Sequence, residues 1–187
     1  MRATLVVLFL LLSSVTFAQE PPFDFKGIAL GSDISAARSN SKFECYEMEK
    51  RPPHRIVSGD HYCSHHYSIK GEETIAGAPI RNIYLYYYFG KLERIEIRLW
   101  ARDFHQVLAA LQEKYGPGSV KTETVQNRMG ATFENSIYPW RRNSATLEAK
   151  KYEGDLEISS LDFETDFARQ EAKRRRAGAA KKGAKDL

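Results

Sequence analysis

The sequence predicts an α+β domain in which helices pack on one face of a mainly antiparallel sheet. Two apolar-rich runs flank Gly90, which indicates a β-hairpin over residues 80–100. Residues 102–115 carry an apolar stripe with helical spacing. Three more strand-like segments follow that helix with short turns between them. Strands are thus grouped between helices, as in an α+β fold.

The first residues are typical of a secretory signal. A basic residue follows the initiator Met, residues 5–12 form an unbroken apolar run, and Thr16 and Ala18 place small side chains before a cleavage site. A membrane-spanning helix needs about 20 apolar residues, and this run is shorter. We therefore expect residues 1–18 to be a cleaved signal peptide, no transmembrane span in the mature chain, and a periplasmic or secreted protein.

The basic charge of the chain is concentrated at its end. The formal net charge is +4, yet seven Lys and Arg residues fall at or after Lys173. Residues 19–172 are mildly acidic and long enough for a single domain. Residues 173–187 lack apolar periodicity, which predicts a disordered basic tail. The tail could contact anionic surfaces such as lipid headgroups or nucleic acid, or serve only to keep the protein soluble.

The two cysteines, Cys45 and Cys63, are expected to form a disulfide, because an exported chain with an even cysteine count usually pairs them. Both lie in residues 43–67, a polar segment that is expected to be a strand and a long loop. A crosslink across a loop of this size stabilises a fold by about 3 kcal/mol.

Residues 23–30 are expected to form a short entry strand. Ser32 and Asp33 then suit the start of a short helix over residues 34–39, since Ser can accept from free N–H groups and Asp complements the positive helix end.

The faces of the hairpin follow from alternation. The apolar residues on its core face are all odd-numbered: Ile83, Leu85, Ile95, Ile97 and Leu99. A two-residue loop at 90–91 would set Ile83 opposite Arg98. A three-residue loop over residues 88–90, with Gly90 left-handed in a bulge, sets Ile83 opposite Ile95 and keeps the pattern. The opposite face then carries Tyr84, Tyr86, Arg94, Glu96, Arg98 and Trp100.

The helix over residues 102–115 is expected to end at Gly116, with Pro117 as a stop. The later strands are predicted over residues 131–140, 145–152 and 156–163. Thr165 could cap a final helix that leads into the tail.

Three segments resemble small exported proteins of Gram-negative bacteria whose function is unknown: FKGIALGS, FGKLERIEIRL and FHQVLAALQEKYGPG. The resemblance covers residues 25–118 and continues more loosely through the last strands. It implies a periplasmic location and no established activity. The repeated order of strand and helix is also similar to the BamE and beta-lactamase-inhibitor-protein architecture. The chain lacks the lipid-anchor Cys of BamE, so this likeness concerns the fold alone.

A histidine-rich segment is the first candidate site. His54, His61, His65 and His66 lie close to Cys63, and imidazole and thiolate are natural zinc or copper ligands. In a strand, His61, Cys63 and His65 would point the same way, and we take His61, His65 and His66 as candidate ligands. The alternative is an oxidised Cys63 beside solvated histidines.

The second candidate is an interface on the hairpin, formed by Tyr84, Tyr86, Arg94, Arg98 and Trp100. Tyr, Trp and Arg are enriched at protein interfaces. The alternative is that another strand or loop covers this face.

Catalytic signatures are lacking, since the sequence has no G-x-S-x-G, H-E-x-x-H, P-loop or G-x-G-x-x-G motif. The sequence therefore favours a noncatalytic binding module that needs no cofactor. Its partner is unknown and could be a protein. The competing hypothesis is a metal-binding protein or metal-dependent hydrolase that uses the histidine-rich segment.

Overall fold

The computed structural model describes residues 20–47, 59–66, 72–127 and 129–183. Its strands are β1 (Asp24–Phe25), β2 (Ile28–Ala29), β3 (Glu44–Glu47), β4 (His61–His66), β5 (Thr74–Ile75), β6 (Ala78–Tyr88), β7 (Lys91–Trp100), β8 (Lys121–Gln126), β9 (Thr132–Arg142), β10 (Ala145–Lys150) and β11 (Ile158–Thr165). Its α-helices are α1 (Ser35–Arg38), α2 (Phe104–Tyr115) and α3 (Asp166–Gly183), and a 3₁₀ turn (Ala101–Asp103) precedes α2.

A nine-stranded antiparallel sheet organises the molecule. Its strand order is β3-β4-β6-β7-β11-β10-β9-β8, with β5 beside β6, while β1 and β2 form a small hairpin of their own. The centre of the sheet is the pair β7 and β11, which are far apart in sequence. The predicted α+β class with a mainly antiparallel sheet is confirmed.

One face of the sheet carries the hydrophobic core. The odd-numbered hairpin residues are at most 1 % exposed, as the alternation predicts: Ile83, Leu85, Ile95, Ile97 and Leu99. The apolar stripe of α2 joins the same cluster through Phe104, Val107, Leu108 and Leu111. The helix ends at Gly116, whose φ of 84° suits glycine.

The segment that precedes α1 differs in detail from the expected strand. Lys26 and Gly27 have φ angles of 49° and 85°, so the chain turns between β1 and β2. The start of α1 is stabilised by Asp33, whose Oδ1 accepts a hydrogen bond from the Ser35 N–H at 2.9 Å.

The loop of the β6–β7 hairpin has two residues, Phe89 and Gly90, with φ angles of 50° and 77°. Tyr88 pairs with Lys91 across this tight turn. The three-residue loop predicted from the sequence is therefore wrong. The extra residue that the apolar pattern requires lies farther along β7, where the register shifts and leaves Glu93 as a bulge.

This bulge also changes the cross-strand pairs. Ile83 lies opposite Ile97, and Leu85 lies opposite Ile95. The predicted pairing of Ile83 with Ile95 is wrong. The predicted faces are correct, because a two-residue loop and a one-residue bulge together leave an odd number of unpaired residues, as a three-residue loop does.

The carboxyl-terminal strands occur near their predicted positions, but β8 was not predicted. Its sequence, KTETVQ, is polar and does not alternate between apolar and polar residues. Pairing with β9 places β8 at the edge of the sheet, where five of its six residues are exposed. The strand is held by its backbone ladder, which composition does not reveal.

The end of the chain also differs from expectation. Thr165 caps α3 as predicted, since its Oγ1 accepts a hydrogen bond from the Ala168 N–H at 3.1 Å. The helix runs on to Gly183, so the predicted disorder from residue 173 onward is wrong for residues 173–183. Ala, Lys and Arg have high helix propensity. Ion pairs from Glu171 to Arg174 and Arg175 add to it.

Candidate functional site

The side of the sheet that faces away from α2 is polar, and we call its centre, on β6 and β7, the polar face. Strand alternation places the five predicted interface residues together on it: Tyr84, Tyr86, Arg94, Arg98 and Trp100. All five are partly exposed. The rings of Tyr84 and Tyr86 stack with centroids 6.3 Å apart. The Arg94 guanidinium lies 5.7 Å from the Tyr86 ring.

A carboxylate network holds the two arginines of the polar face. Glu96 accepts hydrogen bonds from Arg98 Nη2 at 2.6 Å and from Arg94 Nη2 at 3.2 Å. Arg94 also donates to Asp162 at 2.8 Å, and Asp162 lies directly opposite Glu96 on β11. Arg98 Nη1 is 3.7 Å from Glu153. The arginine charges are thus compensated inside the fold.

Burial strengthens this network. The side chains of Arg94 and Glu96 are only 22 % and 13 % exposed. Burial alone would lower the pKa of Arg94, but the carboxylates of Asp162 and Glu96 outweigh it and raise the pKa above its usual value. Burial also raises the pKa of Tyr86. Arg94 therefore remains charged and bonds β7 to β11, so its removal would leave the largely buried Asp162 carboxylate unpaired.

At the end of β7, the cationic side chains lie outside the carboxylate network that holds Arg94 and Arg98. Trp100 lies between two cations, with the Arg81 guanidinium 4.0 Å and the Arg102 guanidinium 5.3 Å from its ring. We call these three residues the Trp100 patch. Arg102 is 76 % exposed and 3.9 Å from Asp103. In the part of the chain that the structure describes, Arg81 has no carboxylate partner.

The Trp100 patch is fixed by the surrounding backbone. Trp100 pairs with Ile158 of β11, and the Ala101 N–H donates a 2.8 Å hydrogen bond to the Glu157 carbonyl oxygen. Alternation along β6 would place Arg81 on the core face. The register shift between Ile80 and residue 82 turns it outward instead. Sequence reasoning missed Arg81 for this reason, and it missed Arg102 because that residue was assigned to the following helix.

The cysteines of the histidine-rich segment form the predicted disulfide. Cys45 and Cys63 lie directly opposite each other on β3 and β4, and their sulfurs are 2.01 Å apart. Cys63 is fully buried. Its sulfur is therefore not available as a thiolate ligand.

The candidate metal ligands do not converge in the described structure. His65 is 1 % exposed and places Nδ1 3.1 Å from the Lys42 carbonyl oxygen. His61 lies four residues away on the same extended strand, about 13 Å along the backbone. The side chain of His66, and all of His54, lie outside the described residues. Among the described residues, no group of three or more His, Cys, Asp or Glu side chains could hold a metal ion.

None of the described helices combines the length and the apolar character needed to cross a membrane. No protein-family model, curated protein sequence or solved structure matches this chain, so the account of its function rests on its own geometry.

Proposed function

We propose that this protein is a noncatalytic binding module that acts after export and recognises an acidic segment of a protein partner through the Trp100 patch. The observation that carries the proposal is the stacking of Arg81 on Trp100 at 4.0 Å, with no carboxylate bonded to that guanidinium in the described chain. A partner carboxylate would supply the missing counter-charge.

The contrast with the rest of the polar face supports this choice. Arg94 and Arg98 already have carboxylates as neighbours, and a partner would have to break those bonds to use them. Arg81 and Arg102 would lose no comparable internal bond, since the Arg102–Asp103 contact is long and exposed. Trp and Arg together are also the residues that contribute most to protein interfaces when they are held rigidly.

The chemistry available at the patch favours binding over catalysis. Guanidinium groups donate paired hydrogen bonds to carboxylates and remain protonated at all physiological pH values. The Trp100 ring offers a flat apolar surface beside them. A short acidic peptide with an apolar or aromatic residue beside its carboxylates fits this combination.

Crosslinking in the cell envelope tests the proposal. The exported protein, its Arg81→Ala and Trp100→Ala variants, and an Arg38→Ala control would be crosslinked and purified, and the captured chain identified. Arg38 is an exposed arginine of α1, on a different part of the surface. The proposal expects one acidic partner that is captured by the wild type and the control and lost with both patch variants. Equal capture by all four proteins would contradict it.

A further inference from the structure

The outward side of α3 forms a second basic surface, distinct from the Trp100 patch. The helix turns Ala168 to the sheet, where it is 1 % exposed. Helical periodicity then places the following basic residues on the opposite side: Arg169, Lys173, Arg174 and Arg176. All four are exposed. The acidic residue of α3 on that side is Asp166, which pairs with Arg169. We call these four residues the α3 basic strip.

Contacts on the inner side fix which way α3 faces. Arg175 donates to the Gly59 carbonyl oxygen at 3.2 Å and to the Asp60 carboxylate at 3.3 Å. Its guanidinium also lies 5.1 Å from the Tyr88 ring. The Phe167 ring meets the same tyrosine edge-on at 5.7 Å. The contacts of Arg175 and the burial of Ala168 fix the inner side of the helix, and the α3 basic strip is left exposed to solvent.

Part of the charge on the strip is uncompensated. Arg174 is bonded to Glu171 but is itself 75 % exposed, and Arg169 is paired with Glu164 and Asp166. Lys173 and Arg176 have no carboxylate partner within the described residues. The strip therefore has excess positive charge along one side of α3.

The composition of the strip indicates the kind of surface that it fits. Its four members are all cationic, so their contacts would be electrostatic and directed at the headgroups. The Phe167 ring, 43 % exposed on the same helix beside Arg174, and the Phe89 ring next to it could enter the headgroup region. An exported protein meets anionic lipid leaflets rather than nucleic acid.

We propose that the α3 basic strip docks on an anionic lipid surface. The inference does not depend on the proposed partner of the Trp100 patch, because the two surfaces lie toward opposite ends of β7. Trp100 ends that strand, whereas α3 contacts Tyr88 beside its start. A protein bound in this way would keep the Trp100 patch free for a partner.

Co-sedimentation with lipid vesicles tests this proposal. The exported protein would be mixed with phosphatidylcholine vesicles that contain or lack phosphatidylglycerol, at low and at high salt. The Lys173→Gln/Arg176→Gln variant removes two charges from the strip. The matched control, Arg38→Gln/Lys121→Gln, removes the same charge from exposed positions on α1 and β8.

Binding is expected only to the vesicles with phosphatidylglycerol and only at low salt. Each basic residue at the surface adds about fivefold in affinity, so the strip variant should bind about 25-fold more weakly while the control binds like the wild type. Equal losses in the two variants would contradict the proposal, because net charge alone would then explain binding. Tighter binding to a DNA duplex than to the anionic vesicles would also overturn it.

Discussion

Arg94 on β7 donates a 2.8 Å hydrogen bond to Asp162 on β11, although the two residues are 68 positions apart in sequence. The bond joins the two central strands of the sheet on its polar face. It gives Arg94 a structural contact inside the fold, and its place in an interface stays a prediction.

We expect Arg94→Ala to lower the free energy of unfolding by about 1.5–3 kcal/mol, because it leaves the largely buried Asp162 carboxylate without its bonded cation, while Glu96 keeps Arg98. Denaturant unfolding measures the change. Arg102→Ala is the control. Its side chain is 76 % exposed, so removing it should lower the free energy of unfolding by less than about 0.5 kcal/mol. The double variant Arg94→Ala/Asp162→Ala should lose less free energy of unfolding than the sum of the losses in the two single variants. Strictly additive losses would show that the pair is not coupled.

The core face of the hairpin gives a second prediction. Ile95 is fully buried opposite Leu85. Ile95→Ala should therefore destabilise the protein by about 2–5 kcal/mol, and Ile95→Val by about 0.5–1.5 kcal/mol, as measured by denaturant unfolding. Losses below 0.5 kcal/mol for both variants, on the order expected of exposed positions, would mean that the assigned faces are reversed.

These faces could be predicted because apolar and polar residues alternate along the strands, and the alternation indicates which side of each strand is buried. It did not predict the pairing, because the tight turn at Phe89–Gly90 with a bulge at Glu93 leaves the same alternation as a longer loop. The strand β8 was not predicted because its polar residues bury little surface. It is recognised as a strand by its backbone pairing with β9.

The candidate site was predictable only in part. Alternation placed Trp100 and the tyrosines on one side. The partners that decide their roles come from elsewhere: Asp162 from a distant strand and Arg81 from an irregular position in β6. The alternation of residue types in the sequence indicates which residues share a face within one strand. It does not record which strands become neighbours.

The disulfide gives a third prediction. Replacing both Cys45 and Cys63 with Ser should lower the free energy of unfolding by about 2–4 kcal/mol, because the unfolded chain is then no longer constrained. Thermal or denaturant unfolding of the oxidised protein and of this variant measures the difference. Mass spectrometry after alkylation gives an independent check. Two labelled thiols in unreduced protein isolated from the cell envelope would contradict the observed bond.

The end of α3 gives a fourth prediction. A chain that stops at Ala172 loses the partly exposed ion pair of Arg175 with Asp60 and the contact of its guanidinium with the buried Tyr88 ring. Partly exposed ion pairs contribute about 0–1 kcal/mol, so the melting temperature should fall by only a few degrees. A much larger fall would show that the last turns of α3 form an integral part of the folded domain.

Binding of an acidic partner at the Trp100 patch would change the indole N–H signals of the two tryptophans differently in NMR spectra. The Trp140 indole is an internal reference, because it is buried and donates a 2.8 Å hydrogen bond to the Gly116 carbonyl oxygen. Titration with a glutamate-rich peptide should shift the Trp100 signal and leave the Trp140 signal in place, and Arg81→Ala should abolish the shift. An unchanged Trp100 signal, or an equal shift with a glutamine-rich peptide, would contradict the account.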